Sequence, residues 1–213
     1  MTRMTLITTG AFLAFAGPLH AGGPTLIGPD PVPEAMPAPA SGVDWSGPYA
    51  GLSYSRTSGY MDMAGFGLFD YTDGRATGGF LGYNVQRGNL VYGGELSFAT
   101  VSGMVFRDVS LGGDDPVDSL LELRGRVGYS LGSALIYGAF GLAKGNYTLN
   151  GIDKPTASGT SLGVGMDYKL TDQVFVGLDY TRRKMDGTNP NPGLPFTFDA
   201  PVNSLSLRLG LSF

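Results

Sequence analysis

Leu205-Ser206-Leu207-Arg208-Leu209-Gly210-Leu211-Ser212-Phe213 alternates without a break. Every odd position is apolar, and every even position is small or polar. Side chains on a β-strand point alternately to its two faces, so this stretch predicts a strand with one oily face and one polar face. Working back along the chain, Leu162, Val164, Met166, Tyr168 and Leu170 alternate in the same way with Gly163, Gly165, Asp167 and Lys169. Eight such segments follow Trp45: about 48–56, 76–86, 90–100, 119–130, 134–146, 160–170, 174–185 and 203–213. In the fifth, Ile136, Phe140 and Leu142 compete with Leu135, Tyr137 and Ala139 for the oily face.

The connections alternate too. Arg87-Gly88-Asn89, Leu131-Gly132-Ser133 and Thr171-Asp172-Gln173 are short and rich in turn formers. The others, about 57–75, 101–118, 147–159 and 186–202, are long. An even number of strands with all long loops at one end is the pattern of an up-and-down barrel in an outer membrane, with short turns in the periplasm. Lipid also demands closure, because an open edge leaves backbone N–H and C=O groups unpaired in hydrocarbon. The expected fold is therefore all-β: an eight-stranded antiparallel up-and-down transmembrane β-barrel.

The faces divide as such a barrel requires. Leu52, Leu81, Val85, Leu96, Phe98, Leu123, Val127, Leu162, Val164, Val176, Leu178 and Leu207 fall on the expected lipid face. The inner face takes Ser53, Asn84, Gln86, Ser97 and Thr181 with the charged residues Glu95, Glu122, Arg124, Arg126, Asp167, Lys169, Asp179, Arg183 and Arg208. Interfacial aromatic girdles are expected from Tyr49, Tyr83, Tyr92, Tyr129, Tyr137, Tyr168 and Phe213 at the periplasmic ends. Tyr54, Phe98, Tyr147 and Tyr180 take the outer ends, and Trp45 the inner interface.

Composition agrees. Of 213 residues 35 are Gly and none is Cys, which excludes disulfide scaffolds and thiolate chemistry. Only 15% are charged, against ~25% in ordinary soluble domains. No stretch reaches the ~18 apolar residues of a spanning helix. A net charge of −4 gives no basic excess for a nucleic-acid partner. Residues 1–21 read as a signal peptide: Arg3, an apolar run from Met4 to Ala16, and small residues that offer cleavage after Ala16 or Ala21. Residues 22–44 hold Pro24, Pro29, Pro31, Pro33, Pro37 and Pro39 and read as a semi-rigid periplasmic extension. The barrel is assigned to 45–213.

Three stretches resemble a known family. Asp44-Trp45-Ser46-Gly47-Pro48-Tyr49-Ala50-Gly51 resembles the opening of the small Gram-negative outer-membrane β-barrel porin-like family, with Pro48 where Phe is usual. Leu123-Arg124-Gly125-Arg126-Val127-Gly128-Tyr129 resembles one of its strands. Leu209, Leu211 and the terminal Phe213 resemble its C-terminal signal for the outer-membrane assembly machinery. The resemblance covers residues 44–213. It implies an outer-membrane barrel of the surface-antigen, porin-like or opacity type, with no cofactor.

Eight strands enclose a lumen that side chains just fill. The nine charged residues of the inner face are expected to pair into an electrostatic plug, since a buried unpaired charge costs several kcal/mol. A narrow ion-lined pore wants the same polar face, so both readings stand. Inner glycines such as Gly51, Gly82, Gly163, Gly165 and Gly210 either leave space or let bulky charged neighbours fit.

At the outer rim, Arg56, Arg75, Arg107, Arg182 and Lys184 suit lipopolysaccharide phosphates. The loops carry aspartates, among them Asp114 and Asp115 in a Gly112–Pro116 stretch that lacks a full Ca²⁺ ligand spacing, so no metal site is assigned. Phe66, Leu68, Phe69, Val105, Phe106, Leu194, Phe196 and Phe198 either form a contact surface or pack over the barrel mouth. His20, the only histidine, lies in or beside the signal, which leaves the barrel no Ser–His chemistry and argues against an enzyme. The expected role is structural, in envelope integrity or surface interaction. A small diffusion channel and a loop-borne adhesin are the alternatives.

Overall fold

A computed structural model describes residues 43–106, 117–148, 154–189, 192–193 and 195–213. The signal peptide, nearly all of the proline-rich stretch, Arg107, Asp114, Asp115 and Leu194 lie outside the described residues. Ten strands are present among the described residues: β1 (Gly47–Met63), β2 (Gly67–Asp70), β3 (Gly74–Arg87), β4 (Leu90–Ser102), β5 (Val117–Leu131), β6 (Ala134–Tyr147), β7 (Thr156–Lys169), β8 (Val174–Thr188), β9 (Thr197–Asp199) and β10 (Val202–Ser212). Eight are long. They pair in the order β10-β1-β3-β4-β5-β6-β7-β8, and β8 pairs β10 again, so the ring closes. Every pairing is antiparallel. Closure leaves no strand edge open to lipid.

The short turns fall where Gly and Asn predict them. Gly88 (φ 59°) and Gly132 (φ 72°) open two-residue connections in the left-handed region, which costs glycine nothing. At the opposite end the strands outrun the sequence reading, with β1 reaching Met63. The lipid-facing alternation stops at the membrane boundary, but backbone pairing continues beyond it. Here β2 folds back on the end of β1. β9 bridges β1 and β8 above β10. Pro201, which has no N–H to give the ladder, separates β9 from β10.

Leu52, Leu123, Phe140, Leu162 and Leu207 all face outward and are exposed. In β6 the competition resolves in favour of Ile136, Phe140 and Leu142 outside, with Leu135, Tyr137 and Ala139 buried. The girdle expectation holds for Tyr83, Tyr129, Tyr168 and Phe213 at the short-turn end and for Tyr54, Phe98 and Tyr180 at the other. It fails for Tyr49, Tyr137, Tyr147 and Trp45, which are buried inside. Tyr49 shares the strand parity of the inward Ser53 and Ser55, so its ring enters the lumen.

Inner glycines make room chiefly for aromatic rings and not, as expected, for charged side chains. Tyr49 stands directly across from Gly82, Phe80 from Gly51, Tyr137 from Gly165 and Phe175 from Gly210. A Cβ on Gly82 or Gly165 would lie 2.4 Å from the facing ring, and one on Gly210 2.2 Å. The outer end of each ring lies over the bare backbone of the next strand.

Candidate functional site

Taken together along the barrel axis, the inward side chains form an apolar layer, a charged layer and a second apolar layer. At the short-turn end, Trp45, Tyr49, Phe80, Val91, Leu135, Tyr137 and Phe175 pack together. Trp45 is seated by its own polar atoms. Its indole N–H donates to the Gly132 carbonyl (3.1 Å), and its backbone N–H donates to Gln86 Oε1 (2.8 Å). At the long-loop end a second apolar layer gathers Met61, Met104, Val117, Tyr147, Phe198 and Val202, all 2% exposed or less, with Phe69 and Phe196 against it. Of the loop apolar residues, Phe106 and Phe198 thus pack over the mouth, while Phe66 and Leu68 stay exposed.

Between these layers lies the charged layer. Glu95 is at its centre. It accepts from Arg124 (2.7 Å), Arg126 (2.9 Å) and both terminal nitrogens of Arg208 (2.9 and 2.5 Å). Tyr49 also donates its hydroxyl to Glu95 (2.9 Å) while accepting from Arg126 (2.8 Å). Asp179 accepts from Arg124 (2.9 Å), Tyr137 (2.8 Å) and Thr181 (2.6 Å). Asp167 accepts from Arg126 (2.5 Å). Glu122 takes Arg183 through two nitrogens (2.9 and 2.7 Å). The guanidinium of Arg126 lies 3.7 Å over the Tyr137 ring, and that of Arg208 lies 3.9 Å over Phe80. Planar forks against carboxylates and rings are what an arginine offers and a lysine does not.

Eight of the nine charged residues expected in the lumen therefore meet: Glu95, Glu122, Asp167 and Asp179 against Arg124, Arg126, Arg183 and Arg208. Four acids face four arginines, and the layer is neutral. Lys169 does not join it. It ends β7 at the short-turn mouth, where its ammonium donates to the carbonyls of Asp44 (2.6 Å) and Asp172 (3.0 Å). That ammonium also sits 5.2 Å over the Trp45 ring. Its position on the strand, beyond the aromatic layer, puts it out of reach of the central carboxylates. Sequence reasoning missed Tyr49 and Tyr137 as partners of the charges. Strand parity carried the signal for Tyr49, but for Tyr137 both parities were apolar.

Beside the network is a cavity of about 40 Å³, lined by Ser53, Ser55, Ser97, Ser204 and Ser206 with Arg183 and Arg208. Ala76, Phe80 and Leu120 also line it, and it has room for a few waters. At the entrance, Asp44 accepts from the Ser46 backbone N–H (2.8 Å), and this bond holds its carboxyl below the usual carboxylate range. Among the described residues, no group of three or more His, Cys, Asp or Glu is arranged to hold a metal.

Comparison with known proteins places this geometry. Residues 35–213 match the family model of the outer membrane protein beta-barrel domain. A 22 kDa outer membrane protein of Rhizobium leguminosarum bv. viciae is 32% identical over 187 residues, covering 84% of this chain and 82% of that one. A 25 kDa outer-membrane immunogenic protein of Brucella canis is 27% identical over 221 residues, covering 99% and 97%. Among solved structures, Neisserial surface protein A aligns with a TM-score of 0.51 at 16% identity, over 79% of this chain and 98% of that one. Ail, the attachment invasion locus protein of Yersinia pestis, aligns at 0.50 and 14%, over 78% and 99%. The last two share the fold. This family consists of outer-membrane barrel proteins and not of enzymes. A closed ring of eight long strands, oily outside and ion-paired within, is thus an integral protein of the bacterial outer membrane, and the chain belongs to the outer membrane protein beta-barrel family.

Proposed function

We propose that the protein is a sealed barrel whose role is structural, in envelope integrity and at the cell surface, and that its lumen is a plug. The observation that carries this reading is the layering. A neutral, mutually paired charge layer is bracketed by two apolar layers. An ion moving along the axis would have to break buried pairs and then cross a dry aromatic or Met-rich layer, each step costing several kcal/mol. A diffusion channel would need a continuous polar path, and the 40 Å³ cavity beside the network does not supply one.

On this reading the regions at the two ends serve export and placement. Residues 1–21 direct export, and residues 22–44 extend into the periplasm. Leu209, Leu211 and Phe213 face outward, exposed at 54%, 48% and 72%, as a surface that the assembly machinery reads. At the other end Arg56, Arg75, Arg182 and Lys184 are exposed on the lipid-side rim. There they suit phosphates of lipopolysaccharide, to which arginine and lysine bond strongly.

A surface-contact role has one observation in its favour. Phe66 and Leu68 are each 57% exposed on the β1–β2 hairpin, beyond the barrel wall. The Brucella relatives are named as immunogenic, which fits loops displayed at the surface.

Single-channel recording of the full folded chain in a planar bilayer tests the plug, with heat-dependent gel mobility as the folding control. Silence from a folded barrel is the expected result. Steady openings that scale with salt would overturn the plug in favour of the channel.

A further inference from the structure

Residues 43–46 belong to no strand, yet they are tied to all three short turns. Gln86 makes the link to the β3–β4 turn. Its backbone N–H donates to Ser46 Oγ (3.0 Å), its side-chain oxygen accepts from the Trp45 backbone N–H, and its side-chain nitrogen donates to the Gly88 carbonyl (2.8 Å). The Trp45 indole reaches the β5–β6 turn at the Gly132 carbonyl. Lys169 makes the link to the β7–β8 turn, its ammonium joining the carbonyls of Asp44 and Asp172. Val43 packs against the same aromatic cluster as Trp45.

Gly47 makes this approach possible. The pairing of β1 with β3 starts there, and the chain turns from the wall into the mouth. Its φ of 109° is open to glycine and strained for other residues. A Cβ on it would lie 2.7 Å from the carbonyl oxygen of Phe213.

The seat exists only in a closed ring. Gln86 lies 41 residues along the chain from Trp45, Gly132 lies 87 from it, and Lys169 lies 125 from Asp44. Phe213 backs Gly47 only once β10 has paired with β1. Contacts of such long range form late, because the loops between them must close first. Residues 44–46 add no rung to the ladder, so the ring can close without them.

We infer that Asp44-Trp45-Ser46 is a clasp, which docks into the periplasmic mouth after the ring has closed and leaves it before the strands separate. A contact made after the folding transition state leaves the folding rate alone and slows unfolding. The clasp is therefore a kinetic lock on the barrel, separate from the charge layer at its middle. It gives each residue of the opening a physical task. Trp45 fills the mouth, Asp44 and Ser46 meet the turns, and Gly47 makes the corner.

The test is the kinetics of the full chain in lipid vesicles, with urea-jump folding and unfolding read by the gel mobility of unheated samples. Trp45→Phe keeps a ring in the mouth and removes the indole N–H. Gln86→Ala takes away the partner of the Trp45 backbone N–H, and Lys169→Met takes away the ammonium. Each should unfold about tenfold faster, the effect of one lost hydrogen bond, and fold within about twofold of wild type. Gly47→Ala should keep the folded mobility while Trp45 emission moves to the red and opens to acrylamide. Folding slowed as much as unfolding is hastened would place these residues in the folding nucleus and overturn the clasp. Unfolding at the wild-type rate in all three variants overturns it too, as does a folded Gly47→Ala barrel whose indole stays buried. Should Gly47→Ala not fold, the three kinetic variants decide.

Discussion

Arg208 of β10 lays both terminal nitrogens on Glu95 of β4 (2.9 and 2.5 Å), joining two strands that are not neighbours in the sheet. The last strand is thus held to the first half of the barrel twice: by its backbone ladder with β1 and by a fork across the lumen. Glu95 also serves Arg124, Arg126 and Tyr49. Removing it leaves three guanidinium groups short of a partner, whereas removing Arg208 leaves Glu95 with three donors. Glu95→Ala should therefore cost about 3–5 kcal/mol, the penalty of a broken buried pair, and Arg208→Met distinctly less. The double variant should cost less than the sum, because the two share one interaction. Urea unfolding in lipid vesicles checks all three; equal losses for Glu95→Ala and Arg208→Met would contradict the central position of Glu95.

Gly82 and Gly165 lie under the Tyr49 and Tyr137 rings, each of which hydrogen-bonds a carboxylate of the charge layer. A methyl group there displaces the ring and its hydroxyl together. Gly82→Ala and Gly165→Ala should each lower stability by about 1–3 kcal/mol, as overpacking does. Gly138 faces outward with nothing within 4 Å of the added Cβ. Gly138→Ala should fall within about 0.5 kcal/mol of wild type. The same unfolding assay separates the two sites.

Trp45 is the only tryptophan, and its fluorescence reports the short-turn mouth directly. It is 4% exposed, packed edge-on against Phe175 with ring centres 6.2 Å apart. Its emission should be blue-shifted in the folded barrel and resist acrylamide until unfolding. Strong quenching in a barrel that still shows the folded gel mobility would mean that the indole lies outside the mouth. Trp45→Ala should cost about 3–5 kcal/mol, the usual toll for emptying a large aromatic site.

Acid should weaken one contact at the same mouth. The folded protein holds the Asp44 carboxyl below its ordinary value through the Ser46 N–H. Its contribution is therefore present above the unfolded carboxylate range and disappears as pH falls through the lowered folded value. Asp44→Ala should be slightly less stable than wild type at neutral pH, and the two should converge in strong acid. A gap that persists there would point to a contact other than the ionised carboxylate. Asp44 is exposed, so the effect is small.

Much of this architecture is legible in the chain because a lipid solvent imposes a simple rule on each strand. Leu205 to Phe213 obey it, and so do Leu162 to Leu170, so both strands and both faces are read directly. The rule lapses where lipid ends. Beyond Thr57 the strands continue in water, and the apolar residues turn inward, which is why Met61, Met104 and Tyr147 gave no warning of the outer apolar layer. In β6 both parities are apolar, and sequence alone had no way to choose between Ile136 and Tyr137.

What the sequence by itself determined is the barrel: strand number, closure, the oily face and the set of charged residues turned inward. These follow from alternation, turn residues and the cost of bare backbone in hydrocarbon, all of which are local. What only the tertiary structure decided is which charge meets which, that Lys169 stays at the mouth, that Tyr49 and Tyr137 serve the carboxylates, and that apolar layers seal both ends. Those outcomes depend on strand tilt and on distances across the lumen between residues far apart in the chain, such as Glu95 and Arg208. No period along one strand encodes them.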